Sequence, residues 1–348
     1  MKLKRHKQNP ILEPVKNNNW ESKAVFNCGA VYEKKTGMIH LLYRAIGDYK
    51  SYRSTLGHAI SKDGINFKRY NKPVFEPKEK YEMGAVEDPR ITEIEGKFYV
   101  TYVVHIGHAG DKNGIARIAL ASTTDFQKYE RLGIITSEGA DERDVVLFPE
   151  KINGKYAKLH RPINWIKKDV YETKDGLYLK VKNKTIKWPL DEIPLFPEKP
   201  SIWIAYSDDL TNWHNHKVVM ESEREWEGVK IGAGPPPIKT SKGWLLIYHG
   251  SSLLPNSKFK NYKGEVYNRT YKAGAALLDL KDPSIVIART KEPILEPKKD
   301  YEIFGDVPNV VFPEGAVVRK GELFVYYGAA DKTCCLATCN LEELIDSI

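Results

Sequence analysis

The residues best equipped for chemistry sit in loops that carry charge beside Gly or Pro. Glu87-Asp88-Pro89-Arg90 sets a carboxylate directly before a proline. Proline disfavours the helical region for the residue before it, so an extended backbone is expected at Asp88. On its own the motif reads as a turn carboxylate paired with Arg90. Similar loops hold Arg143 beside Asp144, Arg161 after His160, Lys230 before Gly-Ala-Gly-Pro-Pro-Pro, and His249 in Tyr248-His249-Gly250. Singly, each of these is more often a surface charge or a satisfied core residue. Together, Arg143, Arg161, Lys230 and His249 have the chemistry to hold a dianion through charge-assisted, partly bidentate hydrogen bonds.

Other site chemistries find little support. No nucleophile elbow, Walker loop, dinucleotide fingerprint or zinc-protease motif occurs. His105 and His108 stand three apart, but no Cys or carboxylate pattern completes a metal site, so no metal is expected. Cys28, Cys334, Cys335 and Cys339 form neither a disulfide framework nor a CxxC pair. They read as small core residues of a reduced, cytoplasmic protein. The net charge of +8 arises from 54 basic and 46 acidic residues. The Lys-rich patches at 2–7 and 167–187 lack any nucleic-acid motif and read as solvated surface. No stretch approaches the ~20 apolar residues of a membrane span. The expected partners are therefore small molecules, and the charge balance suits an anionic one.

Something must bring these scattered loops together, and a repeat supplies it. A Gly turn followed by an alternating apolar strand recurs five times, with turn glycines Gly37, Gly96, Gly154, Gly243 and Gly321. A second strand follows each, with a small residue at its middle: Ala59, Ala121, Ala205, Ala276 and Ala337. One further strand precedes each phrase, and it leads out of one of the charged loops. Five antiparallel units with no long helical period indicate an all-β fold, a five-bladed β-propeller with its active site in the central channel. The uneven glycine spacings of 59, 58, 89 and 78 place insertions near 165–200 and 251–270. A circular array cannot be cut without exposing strand edges, so residues 1–348 are expected to form one domain. Its inner strands would carry the charged loops into one polar funnel.

At these residues the sequence resembles glycoside hydrolase family 130, the β-mannoside phosphorylases and related mannosidases. The phrases that carry the resemblance include FNCGAV (26–31), AVEDPRIT (85–92), KIGAGPPPI (230–238), LLIYHG (245–250) and YYGAAD (326–331), and it spans about Asn27 to Asp331. It implies a five-bladed propeller that inverts the anomeric centre. Phosphate attacks the β-mannosidic bond, giving α-mannose 1-phosphate and a shorter acceptor sugar. The catalytic carboxylate falls to Asp88, passing its proton through the mannose 3-hydroxyl. The phosphate-binding positions match Arg143, Arg161, Lys230 and His249, with Tyr267 or Tyr271 as the family's tyrosine. The sugar-binding positions match Asn27, Arg44 and Asp331, with Arg53 a further candidate. Cys28 is a departure, standing where some relatives carry a hydroxyl that touches the sugar.

The cationic set favours phosphorolysis. Phosphate is already an anionic nucleophile, whereas an inverting hydrolase needs a second carboxylate to deprotonate water. Two alternatives remain at this stage: a β-mannosidase using Asp144 or Glu150 as that base, and a non-catalytic sugar-binding propeller. The expected substrate is a short β-mannoside, β-1,2-mannobiose before β-1,4-linked mannosides, with inorganic phosphate as co-substrate and no cofactor. The two insertions are the segments through which copies of the chain would associate.

Overall fold

Tight turns at positive φ, such as Gly96 at +78° and Gly154 at +82°, reverse the chain between long apolar strands. The computed structural model describes residues 1–106 and 114–348. Most strands pair with their neighbours in sequence, and five of the antiparallel sheets so formed are blades. Blade one comprises Ala24–Glu33, Met38–Ile46, Ser54–Ser61 and Lys68–Arg69, and blade two Val86–Ile94, Lys97–Ile106, Ile115–Thr123 and Glu130–Ile134. Blade three comprises Glu142–Leu147, Tyr156–Pro162, Ile202–Ser207 and His214–Met220. Blade four has an inner edge split into Lys230–Ala233 and Ile238–Thr240, then Gly243–Leu253, Arg269–Leu278 and Val286–Arg289. Blade five runs Val311–Arg319, Glu322–Ala329 and Thr333–Asn340, and its fourth strand is Lys4–Arg5 from the start of the chain. Neighbouring blades touch in cyclic order, the fourth meeting the fifth through Gly243–Leu253 and Arg269–Leu278, and the fifth packing on the first. The fold is a five-bladed β-propeller.

The core lies between blades. Apolar clusters join blades five and one, one and two, two and three, three and four, and four and five. The mid-strand residues Ala59, Ala121, Ala205, Ala276 and Ala337 are all fully buried at these faces, where sheets stack too closely for larger side chains. All four cysteines are buried and unpaired.

A polar lock repeats on four blades. A buried Glu accepts from a Tyr hydroxyl of the second strand and from an Arg of the fourth. The sets are Glu21–Tyr43–Arg69, Glu82–Tyr102–Arg131, Glu227–Tyr248–Arg289 and Glu302–Tyr327–Arg5, with Tyr–Glu distances of 2.6–2.8 Å. Blade three substitutes a buried chain in which Glu142 bonds His160 and His160 Nε2 meets His216 Nδ1 at 3.1 Å. Arg5 thus seals the ring through Glu302, at 2.7 Å, and is no part of a solvated basic patch.

The 165–200 insertion forms a separate three-stranded sheet, Val170–Thr173, Gly176–Val181 and Lys184–Lys187. The 251–270 insertion extends the hairpin of blade four and reaches blade one. There the Tyr262 ring stacks on Tyr52 with centroids 4.5 Å apart.

Candidate active site

The inner strands carry bulges at matching points. Register shifts fall at Phe26/Cys28, Glu87/Arg90, Arg143/Val146 and Pro313/Gly315. In the first three, the extra residue has a left-handed backbone: Asn27 at φ +46°, Asp88 at +50° and Asp144 at +58°. Asn and Asp tolerate this region, and a bulge re-aims a side chain at little cost to the ladder. The extended backbone expected at Asp88 is therefore corrected. The bulge overrides the preference set by Pro89.

These side chains line a cavity of about 310 Å³ at the channel mouth, together with Arg44, Arg143, Arg161, Lys230, Tyr267, Arg269, Tyr271 and Asp331. One end is arranged around Asp88. Its Oδ1 accepts from Asn27 Nδ2 at 3.0 Å and Arg44 Nη1 at 3.2 Å. Arg44 Nη2 in turn donates to Glu87 Oε1 at 2.6 Å, which fixes the guanidinium. Burial pushes the Asp331 carboxyl up to about 7, helped by Asp88, Asp306 and Glu87 and opposed by Arg44. The Asp88 side chain does not pair with the Arg90 guanidinium. Arg90 instead bonds the Asp88 backbone carbonyl at 3.3 Å and pairs with Asp144 and Glu314, each at 3.1 Å.

The other end is cationic. Arg143 and Arg161 face each other directly across the first two strands of blade three. Like charges so placed repel. Among the described residues that line this end of the cavity, the one carboxylate is Asp144, accepting from Arg161 Nε at 2.6 Å. Its neighbours Arg161, His249 and Arg90 hold Asp144 well below the usual carboxylate range despite its burial. Arg161 Nη1 is buried without a partner among the described residues. Lys230 lies 5.3 Å from the Tyr271 ring centroid, and Lys230, Arg161 and Arg269 together lower the Tyr271 hydroxyl against the effect of burial. Four cations face one carboxylate here, which is the electrostatic profile of a site for a small dianion. Gly232 permits the close packing: an added Cβ would lie 2.1 Å from Asp144 Oδ2.

Two expected residues stand elsewhere. His249 is fully buried behind Asp144, with Nε2 3.3 Å from Asp144 Oδ2, and does not line the cavity. Burial lowers its pKa to about 4, so it is neutral near pH 7 and adds no charge. Arg53 is exposed, its Nη2 3.6 Å from Met83 Sδ, while its neighbour Tyr52 turns toward Arg44 instead. The Cys28 side chain packs in the core between blades, so no sugar contact arises from it. His105 meets Glu87 Oε2 at 3.1 Å, and His108 lies outside the described residues. Neither candidate base is free: Asp144 is engaged as above, and Glu150 is a half-exposed partner of Lys239.

A family profile described as β-1,4-mannooligosaccharide phosphorylase, that of glycoside hydrolase family 130, matches residues 2–348. The chain belongs to glycoside hydrolase family 130. Among its family 130 relatives is a 1,2-β-oligomannan phosphorylase of Thermoanaerobacter sp. (strain X514), 40% identical over 350 residues and covering 99% of both chains. A β-1,2-mannobiose phosphorylase of the same organism is also 40% identical, over 356 residues and 99% of both chains. The solved β-1,2-mannobiose phosphorylase of Listeria innocua, in complex with β-1,2-mannobiose, superposes with a TM-score of 0.74. It is 28% identical, covering 100% of this chain and 99% of the other.

The family 130 chain holds site residues that its motifs did not suggest. Arg269 lies where the 251–270 insertion obscures the pattern. Glu87 and Arg90 flank the motif carboxylate and looked like its ordinary neighbours. Glu314, in a Phe-Pro-Glu-Gly stretch, carried one signal: its phrase parallels the Phe-Pro-Glu-Lys of blade three.

Proposed function

We propose that this family 130 enzyme cleaves short β-mannosides with inorganic phosphate, with inversion, giving α-mannose 1-phosphate and a shorter acceptor. The observation that carries the reading is the cationic half of the cavity, where Arg143 opposes Arg161 and Lys230 and Arg269 join them around one engaged carboxylate. Hydrolysis needs a second carboxylate free to deprotonate water. Asp144 and Glu150 are both committed to cations.

In this reading Arg143, Arg161, Lys230, Arg269 and Tyr271 hold the phosphate in line with the anomeric carbon. Asn27, Arg44 and Asp331 hold the mannosyl unit beside Asp88. An oxygen of phosphate bonds to C1 as the glycosidic C1–O bond breaks. The electron pair goes to the leaving oxygen, which takes a proton supplied by Asp88, relayed through the sugar 3-hydroxyl. Asp88 then stands as a carboxylate against Arg44 and Asn27. Among the described residues only its Oδ1 has protein donors, leaving Oδ2 for the substrate. Tyr267, between Tyr271 and Asp331, borders both halves. His249 backs Asp144 without touching phosphate.

The linkage we assign is β-1,2 ahead of β-1,4, supported by the names of the two relatives at 40% identity. All 348 residues are taken as one catalytic unit, supported by the strand from residues 4–5 that completes the last blade. Incubation of β-1,2-mannobiose with and without phosphate tests the reading. Mannose 1-phosphate should form only with phosphate. Equal release of free mannose without it would overturn phosphorolysis in favour of hydrolysis, and no turnover of any mannobiose would leave a binding protein.

A further inference from the structure

The Arg90 guanidinium reaches four of the five blades at the channel floor. It is 2% exposed, at the centre of the ring. Its Nε donates to the Gly234 carbonyl of blade four at 2.9 Å. Its Nη1 donates to the Asp88 carbonyl of blade two at 3.3 Å. Its Nη2 reaches Asp144 Oδ1 of blade three at 3.1 Å and Glu314 Oε1 of blade five at 3.1 Å. Blade one closes on the same point, since an added Cβ at Gly29 would lie 3.1 Å from Arg90 Cα.

We propose that Arg90 is a positioning residue that sets the phosphate end of the cavity through Asp144 and the proton donor through the Asp88 carbonyl. The proposal rests on the phosphorolytic reading above. Asp144 has two jobs that compete for its oxygens: Oδ2 holds Arg161, and Oδ1 is held by Arg90. A carboxylate with only one anchor is free to rotate about its last bond, and Arg161 would swing with it. Anchored at both oxygens, it presents Arg161 in one orientation, opposite Arg143. A planar guanidinium can make all four of these contacts at once, whereas a lysine ammonium in the same space cannot span them. At the other end, the bond to the Asp88 carbonyl pins a bulge residue whose left-handed backbone sets where its carboxyl points.

Glu314 meets the same guanidinium from blade five. It is fully buried, and burial together with Asp88 and Asp144 pushes its carboxyl well up, with Arg90 opposing. Asp144 is the carboxylate that Arg90 and Arg161 share, one on each oxygen.

The test is steady-state kinetics of Arg90→Lys on β-1,2-mannobiose with phosphate varied. The expected result is a split: kcat lowered at least about tenfold and phosphate KM raised at least about fivefold, with mannobiose KM within about twofold. A role in folding alone removes active molecules, lowering kcat with both KM values unchanged, and that result overturns the proposal. So does an equal rise in both KM values. Should Arg90→Lys not fold, Asp144→Asn carries the same test, because it cuts the same link. A raised phosphate KM with unchanged mannobiose KM supports the proposal, and an unchanged phosphate KM overturns it. Wild-type enzyme that makes no mannose 1-phosphate would instead fail the phosphorolytic reading itself.

Discussion

Asn27 and Asp88 occupy the same bulge position in adjacent blades, both left-handed, and Asn27 Nδ2 donates to Asp88 Oδ1 at 3.0 Å. One blade therefore orients the reactive group of the next. The arrangement ties the proton donor to the ring.

Asp88→Asn keeps the size, the tolerance for positive φ and an oxygen for Asn27, but cannot deliver a proton. The variant should fold with an unchanged circular dichroism spectrum and lose about 10²–10⁴-fold in kcat, the range of a lost general acid. Activity within tenfold of wild type would remove Asp88 from the catalytic role.

Arg269→Ala should raise the phosphate KM by about tenfold, the scale of one lost charge-assisted hydrogen bond. The mannobiose KM should change little, because Arg269 acts at the cationic end beside Tyr271. Initial rates over a phosphate series at saturating mannobiose measure this. A phosphate KM equal to wild type would exclude Arg269 from the anion site.

Asp331 should weaken the fold as pH rises. Its folded pKa of about 7 lies above the value near 4 of an unfolded aspartate, so the native state holds a proton that the unfolded chain has released. The stability it contributes is present below about pH 4 and is lost as pH approaches about 7. Asp331→Asn removes that loss and should gain stability relative to wild type between about pH 5 and pH 8, on the order of 4 kcal/mol at full effect. Urea unfolding at both pH values reads the difference, and an equal difference at both would contradict it.

Arg5→Ala should lower the melting temperature by about 3–5 °C, from about 2–3 kcal/mol lost when the buried Glu302 keeps its charge but loses its cation. Lys4→Ala, at an exposed position in the same strand, is the control and should shift it by less than about 1 °C. Equal shifts in the two variants would mean that the Glu302 lock does not hold the ring.

The blades were legible because their signals are local: a turn glycine, an alternating strand and a small residue where sheets stack. The fourth strands were not. Arg69-Tyr-Asn-Lys-Pro-Val-Phe-Glu-Pro, Arg289-Thr-Lys-Glu-Pro-Ile-Leu-Glu-Pro and Arg5-His-Lys-Gln-Asn-Pro-Ile-Leu-Glu-Pro repeat one phrase, each leading to an aromatic–Glu pair such as Tyr301-Glu302. Short, charged strands hide among surface residues, and the phrase at the start of the chain looked like a basic tail. In the site, motif carboxylates and cations could be named from their loops. The burial of His249 and the outward turn of Arg53 could not, because the first depends on how the fourth blade's second strand packs behind the Asp144 bulge and the second on the path of the loop before Ser54. The bulge that sends Asp144 toward His249 reverses the strand's alternation without any mark in residue type.

The strand from Lys4 to Arg5 pairs with Thr338 and Ala337, more than 330 residues away in sequence. During synthesis the first of these strands must wait, unpaired, while four blades and most of a fifth are made. Any partial chain is consequently an open arc with two raw edges. The pocket, which needs side chains from all five blades around Arg90, exists only once the last-made strand receives the first.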